Sequence, residues 1–135
     1  LPLNCFDGTY RSFEQQVLPE LERRGIAALG MKSLGGDGQP ILHGVVGAEE
    51  ALRYAMSLPV ATTISGIDSL AVLRQNLAIA RGFEPMTPGE MQALRQRCAF
   101  FAGDGHLELY KSTKKYDGRV GREQHGYPPP EQLPL

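Results

Sequence analysis

Two short apolar runs, Ile26–Leu29 and Val60–Ile64, constrain this chain more than anything else in it. Each is too short for a helix, and each is followed by a glycine-bearing turn that leads towards one. The turns are Gly30-Met31-Lys32-Ser33-Leu34-Gly35-Gly36 and Ser65-Gly66-Ile67-Asp68-Ser69. The runs start about one βα unit apart, taken as roughly 250/8 residues. Strand and helix alternating in that rhythm predict parallel strands joined by right-handed crossovers. An eightfold barrel and a doubly wound open sheet both satisfy the pattern, and periodicity does not separate them.

The remaining elements follow from caps and apolar spacing. Leu1–Asn4 reads as the end of a buried strand. Ser12 with Gln15 forms a capping-box pattern, and Phe13, Val17, Leu18 and Leu21 share a helical face kinked by Pro19 and stopped by Gly25. The glycine-rich stretch Gly35–Gly47 reads as a loop. Ala51, Leu52, Ala55 and Met56 mark a helix over Ala48–Leu58, ended by Pro59. Asp68 or Ser69 caps the next helix, whose Leu70, Leu73, Leu77 and Ala80 are expected in the core, with Gly82 as its stop. Thr87, Pro88 and Glu90 are the clearest helix start, followed by Met91, Leu94, Cys98 and Phe101 on one side. Lys111–Leu135 reads as an irregular tail, with Lys111, Lys114 and Lys115 solvated.

Composition narrows the function classes. Fourteen basic and 15 acidic residues among 135 leave a net charge of -1, which gives no electrostatic case for nucleic acid or an anionic membrane. No apolar run approaches the length needed to cross a bilayer. His43, His106 and His125 are separated and fall in loops, so no metal site is expected. Cys5 and Cys98 lack zinc spacing and read as quiet apolar residues in a reducing, cytoplasmic compartment. The chain opens on Leu1-Pro2-Leu3 without methionine. That suggests loss of a preceding segment by processing, proteolysis or design, the alternative being a complete short protein written without its first residue.

Three blocks, Leu1–Asp7, Gly25–Gly36 and Ile64–Ser69 with Leu73-Arg74-Gln75-Asn76, resemble the C-terminal part of aldo/keto reductases. The likeness spans about residues 1–82. It implies an α/β fold of a particular kind: about three C-terminal βα units of a (β/α)8 TIM barrel, the sixth to eighth strands. Residues 83–102 would then be an additional helix and 103–135 an irregular C-terminal extension. An independent rule agrees, since barrel phosphate sites commonly use the loops after the last two strands.

The resemblance implies binding of NADP or NAD by Met31, Lys32, Leu34, Gly35, Ser65, Gly66 and Asp68, with Gln75 and Asn76 towards the adenosine end. Met31 stands where an aromatic ring is common, and Gly66 and Val72 where NADPH-preferring members often carry lysine and arginine, so the cofactor choice stays open. The catalytic Asp, Tyr, Lys and His of the family lie on earlier strands, so this chain alone is expected to be inactive, with no catalytic residue of its own. The complete enzyme would act on a small carbonyl substrate. Three parallel strands leave open edges and an uncovered apolar face, so the missing barrel half or another copy of the chain is the expected partner. The alternative from another class is a non-catalytic binding or assembly module derived from a barrel segment.

Overall fold

Asn4 turns the chain sharply at its first opportunity: its Oδ1 accepts from the backbone N–H groups of Phe6 at 2.9 Å and Asp7 at 3.1 Å. The computed structural model describes residues 1–112, 118–124 and 126–132. Helix α1 (Phe13–Gln16) starts at Ser12, whose Oγ accepts from Gln15 N at 3.0 Å. The Gln15 amide donates to Gly8 O instead of returning to the cap, so half of the capping box forms. At Val17, which keeps right-handed helical angles, the helix is interrupted for one residue, and α2 (Leu18–Arg23) resumes with Pro19 in its first turn, where a missing N–H is harmless. Ile26 N bonds to Leu21 O and Gly25 N to Glu22 O, with Gly25 at φ +66°, a paired closure that terminates α2.

That closure occupies the start of the predicted strand. Strand β1 is therefore Leu29–Gly30, further along than the apolar run suggests, and Ile26 is exposed. It pairs in parallel with β2 (Thr62–Thr63), Leu29 opposite Thr62 and Gly30 opposite Thr63. Ala61 N to Ala28 O and Ile64 N to Gly30 O extend the ladder. On the other side Pro2 bridges Met31 in parallel, through Leu3 N to Met31 O and Met31 N to Leu1 O. Proline is tolerated there because the ladder does not use its nitrogen. The result is a mixed α/β fold, with residues 29–31 between the first residues and β2.

One face of these segments is covered. Leu3, Phe6, Leu18, Ala28 and Leu58 join Ala51 and Tyr54 of α4 (Ala48–Ser57) and Leu94, Cys98 and Ala102 of α6 (Pro88–Ala102) in one core. Each large side chain buried there contributes about 1.5–3 kcal/mol. The full capping box at Thr87 and Glu90 starts α6. The link into it is fastened across α4 by Ser57 Oγ, which accepts from Met86 N at 2.8 Å, and by Arg53, which donates to Glu84 O. The opposite face is open: Leu29 is 51 % exposed, Ile64 46 % and Met31 38 %.

Helix α5 (Leu70–Arg81) departs from expectation. Its Leu70, Leu73, Leu77 and Ala80 stripe is not core, because no residue of α5 is buried and Leu70 and Leu77 are exposed. Val72, Leu73, Asn76 and Ile79 are its half-buried face instead. The hydrogen bond from Asn76 Nδ2 to Ser65 Oγ turns that face towards the loop after β2.

The glycine-rich loop contains a short helix, α3 (Gln39–Leu42). Two more, α7 (Leu109–Ser112) and α8 (Arg119–Gln124), and a 3-10 turn over Pro130–Gln132 lie in the segment read as irregular tail. Among the described residues no helix is long and apolar enough to cross a membrane.

Candidate functional site

Parallel strands deliver their exit loops to the same edge of a sheet. Here the loops after β1 and β2 face each other across a cleft of about 380 Å³. Lys32, Ser33, Leu34 and Asp37 line it from one side, and Ser65, Gly66, Ile67 and Asp68 from the other. Val72, in the first turn of α5, also lines it. Ser69 Oγ takes the capping role by accepting from Val72 N at 3.2 Å. The side chain of Asp68 is thus left to the cleft.

Five of the nine residues expected to hold a cofactor line this cleft: Lys32, Leu34, Ser65, Gly66 and Asp68. Gly35 shapes the wall from behind at φ +80°, where a Cβ would meet the Pro40 ring at 2.7 Å and Leu107 O at 3.1 Å. Met31 lies on the open sheet face, and Gln75 is exposed on α5. Asn76 lines an adjoining apolar groove of about 270 Å³ with Leu52, Met56 and Leu73, and Ser65 and Ile67 border both spaces.

The chemistry of the cleft is mixed. Among the described residues, Lys32 is its cationic lining group, and Asp37 and Asp68 are its carboxylates. The backbone N–H groups of Ser65, Gly66, Ile67 and Asp68 donate to no protein group among the described residues. Among the described residues Ser33 Oγ is buried with no hydrogen-bond partner, and so is Asn76 Oδ1 in the adjoining groove. An orphaned buried oxygen is costly unless a ligand or water satisfies it. Gly66 has nothing within 4 Å of where a Cβ would stand.

Beneath the loop after β1 lies a cluster the sequence reading missed. Lys111 is a correction: it is not solvated, its side chain being 2 % exposed. Its ammonium sits 2.6 Å from Asp7 Oδ1 and 3.0 Å from Glu108 Oε2, and donates to Tyr10 O at 2.8 Å. Asp7 Oδ2 accepts from Ser12 Oγ at 2.9 Å and Glu14 N at 2.7 Å. Glu108 Oε1 accepts from Asn4 Nδ2 at 3.1 Å and from the Tyr110 hydroxyl. Burial, with the Glu108 carboxylate next in size, pushes the Tyr110 phenol up. The Glu108–Lys111 spacing of a helical ion pair was a usable signal, but the contacts to Asn4 and Asp7 had none. Lys114, Lys115 and His125 lie outside the described residues.

Two further juxtapositions join distant segments. Tyr54 donates to Glu14 Oε2 at 2.6 Å, and Arg95 reaches both, which fastens α1, α4 and α6 together. Cys5 and Cys98 lie with their sulfurs 3.5 Å apart, both buried. The hydrogen bond between them, the largest cause in each case, pushes the Cys5 thiol up and pulls the Cys98 thiol down. Among the described residues no group of histidine, cysteine and carboxylate side chains is arranged to hold a metal ion.

No protein-family model, curated protein or solved structure shows a significant match to the chain.

Proposed function

We propose that this chain is the cofactor-holding part of an NAD(P)-dependent aldo/keto reductase-like oxidoreductase, formed by C-terminal βα units of a (β/α)8 barrel. The observation that carries the reading is the cleft itself, built where two adjacent parallel strands release glycine-bearing loops onto the start of a helix. The N–H groups of Ser65–Asp68, unpaired among the described residues, the α5 N-terminus and Lys32 favour phosphate oxygens. Asp37 and Asp68 would repel a bare phosphate but accept from sugar hydroxyls. A ligand bearing both groups, such as a dinucleotide, answers both demands. The open space at Gly66 leaves room for it to approach the backbone.

In this role the chain binds and orients a cofactor. Hydride transfer to a small carbonyl substrate would need a proton donor at the carbonyl oxygen, and none of the residues lining the cleft is assigned that part. Calorimetric titration with NADP+ and NAD+ tests the reading, using Gly66→Leu as the blocked form. Binding to the natural chain that Gly66→Leu abolishes, with unchanged thermal stability, is the expected result. Equal heats for both proteins would remove the cleft from consideration.

The open face at Leu29, Met31 and Ile64 supports a second reading, a non-catalytic assembly module that docks through this surface. Failure of both nucleotides to bind, together with concentration-dependent sedimentation, would favour it.

A further inference from the structure

The loop that forms one wall of the cleft does not hold its shape alone. Residues 105–111 pass beneath it, touch it at two places and reach it at a third through Asn4. Gly35 packs so closely on this segment that a Cβ would stand 3.1 Å from Leu107 O. The Lys32 ammonium lies over the Tyr110 ring, 5.1 Å from its centre. The Lys32 carbonyl accepts from Asn4 Nδ2 at 3.3 Å, and that same amide donates to Glu108 Oε1 and to the Tyr110 hydroxyl.

The segment is anchored equally firmly on its far side. Lys111 bonds to Asp7 and Tyr10 O, and Arg11 donates to Lys111 O at 3.2 Å. These partners lie about a hundred positions earlier in the chain, so the strap closes a long loop across the first turn of the protein.

From these contacts we infer that Tyr110 is a positioning residue for the cleft. Held by Glu108 and Asn4, its ring fixes Lys32 so that the ammonium is pre-placed for an anionic ligand group. The C-terminal strap thereby sets the charge presented by the loop after β1. The inference deepens the cofactor reading and rests on it only for the nature of the ligand.

Lysine loses much rotamer freedom when it is held, and a ring that pre-orders it removes that loss from the binding step. A cation over an aromatic face keeps this advantage with phenylalanine and loses it with leucine.

The test compares Tyr110→Leu with Tyr110→Phe in the full chain, by two measurements. Ring-current shifts of the Lys32 side-chain protons and hydrogen exchange of amides 33–38 report the strap directly, with no ligand present. NADP+ titration reports its consequence. Tyr110→Leu is expected to abolish the ring-current shift, speed exchange at 33–38 and leave 64–69 unchanged. It should weaken NADP+ by roughly two- to tenfold, as expected for one newly ordered long side chain. Tyr110→Phe keeps the ring but not the hydroxyl held by Glu108 and Asn4, so it should retain the ring-current shift and lose less affinity than Tyr110→Leu. Unaltered exchange and affinity in Tyr110→Leu, or equal loss in Tyr110→Phe, would overturn the positioning role. Should the natural chain bind no dinucleotide, the cofactor reading fails, and the ligand-free measurements alone decide for or against Tyr110.

Discussion

Lys111→Met is the most informative single change to the fold. The ammonium serves two carboxylates whose side chains are 0 % and 1 % exposed. Methionine fills a similar length but leaves Asp7 and Glu108 buried and negative without a cation. Breaking a buried pair in this way costs about 3–5 kcal/mol, because the stranded charge is not rehydrated. A domain of this size is stabilised by only about 5–15 kcal/mol in total. The loss is therefore expected as a large fall in the urea midpoint, with m unchanged if the transition stays two-state. The triple variant Lys111→Met, Asp7→Asn, Glu108→Gln should recover most of the loss, since neutral amides keep their hydrogen bonds and need no counter-ion. A single-variant effect below about 1 kcal/mol, the value of an exposed pair, would show that Lys111 is solvated as its position in a polar tail suggested. Failure of the triple variant to recover would also count against the electrostatic argument.

Other perturbations address separate parts of the fold. Gly35→Ala imposes a left-handed conformation on an L side chain, about 1–2 kcal/mol, plus overlap with Pro40 and Leu107; a thermal midpoint within error of the parent would refute the close approach. Leu94→Ala, in the core, should cost about 2–5 kcal/mol, whereas Leu77→Ala on the exposed side of α5 should stay within about 0.5 kcal/mol; chemical denaturation of the two variants would expose an error in either assignment. Glu14 is held above the ordinary carboxyl range, burial outweighing its bonds to Tyr54 and Arg95. The folded state therefore keeps that proton longer than the unfolded one. Its stabilising effect is full below the ordinary value of 4.5 and is lost as pH rises through the higher folded value. Glu14→Gln should flatten that part of the stability–pH curve, and an unchanged slope would refute the assignment.

Legibility followed the range of the interaction. Thr87 and Glu90, Ser12, and Gly25 act within a few residues, and their caps and stops formed where the sequence placed them. The α6 stripe of Met91, Leu94, Cys98 and Phe101 was readable because it meets one core, whereas in α4 Ala51 reaches that core beside Tyr54, which the stripe did not include, and Leu52 and Met56 line the groove against α5. Helix α5 misled because, of its leucines, Leu73 alone lies on the half-buried face, while Leu70 and Leu77 are exposed. Asn76, a polar residue that no hydrophobic count favours, lies on the half-buried side and bonds to Ser65. At the cleft, the two glycine-bearing turns gave away both walls. The strap stayed hidden for a different reason. Asp7 and Lys111 are ordinary charged residues until folding brings them to 2.6 Å, and a pairing at that separation leaves no periodic trace. Cys5 and Cys98 were likewise unremarkable apart and in contact once folded.

Amide chemical-shift mapping during NADP+ addition tests the central claim most directly, because it reads both loops at once. Saturable shifts confined to residues 32–38 and 64–72, with the α6 amides still, are the predicted result. Shifts clustered instead along the open face at Leu29, Met31 and Ile64, or none at millimolar NADP+, would contradict it.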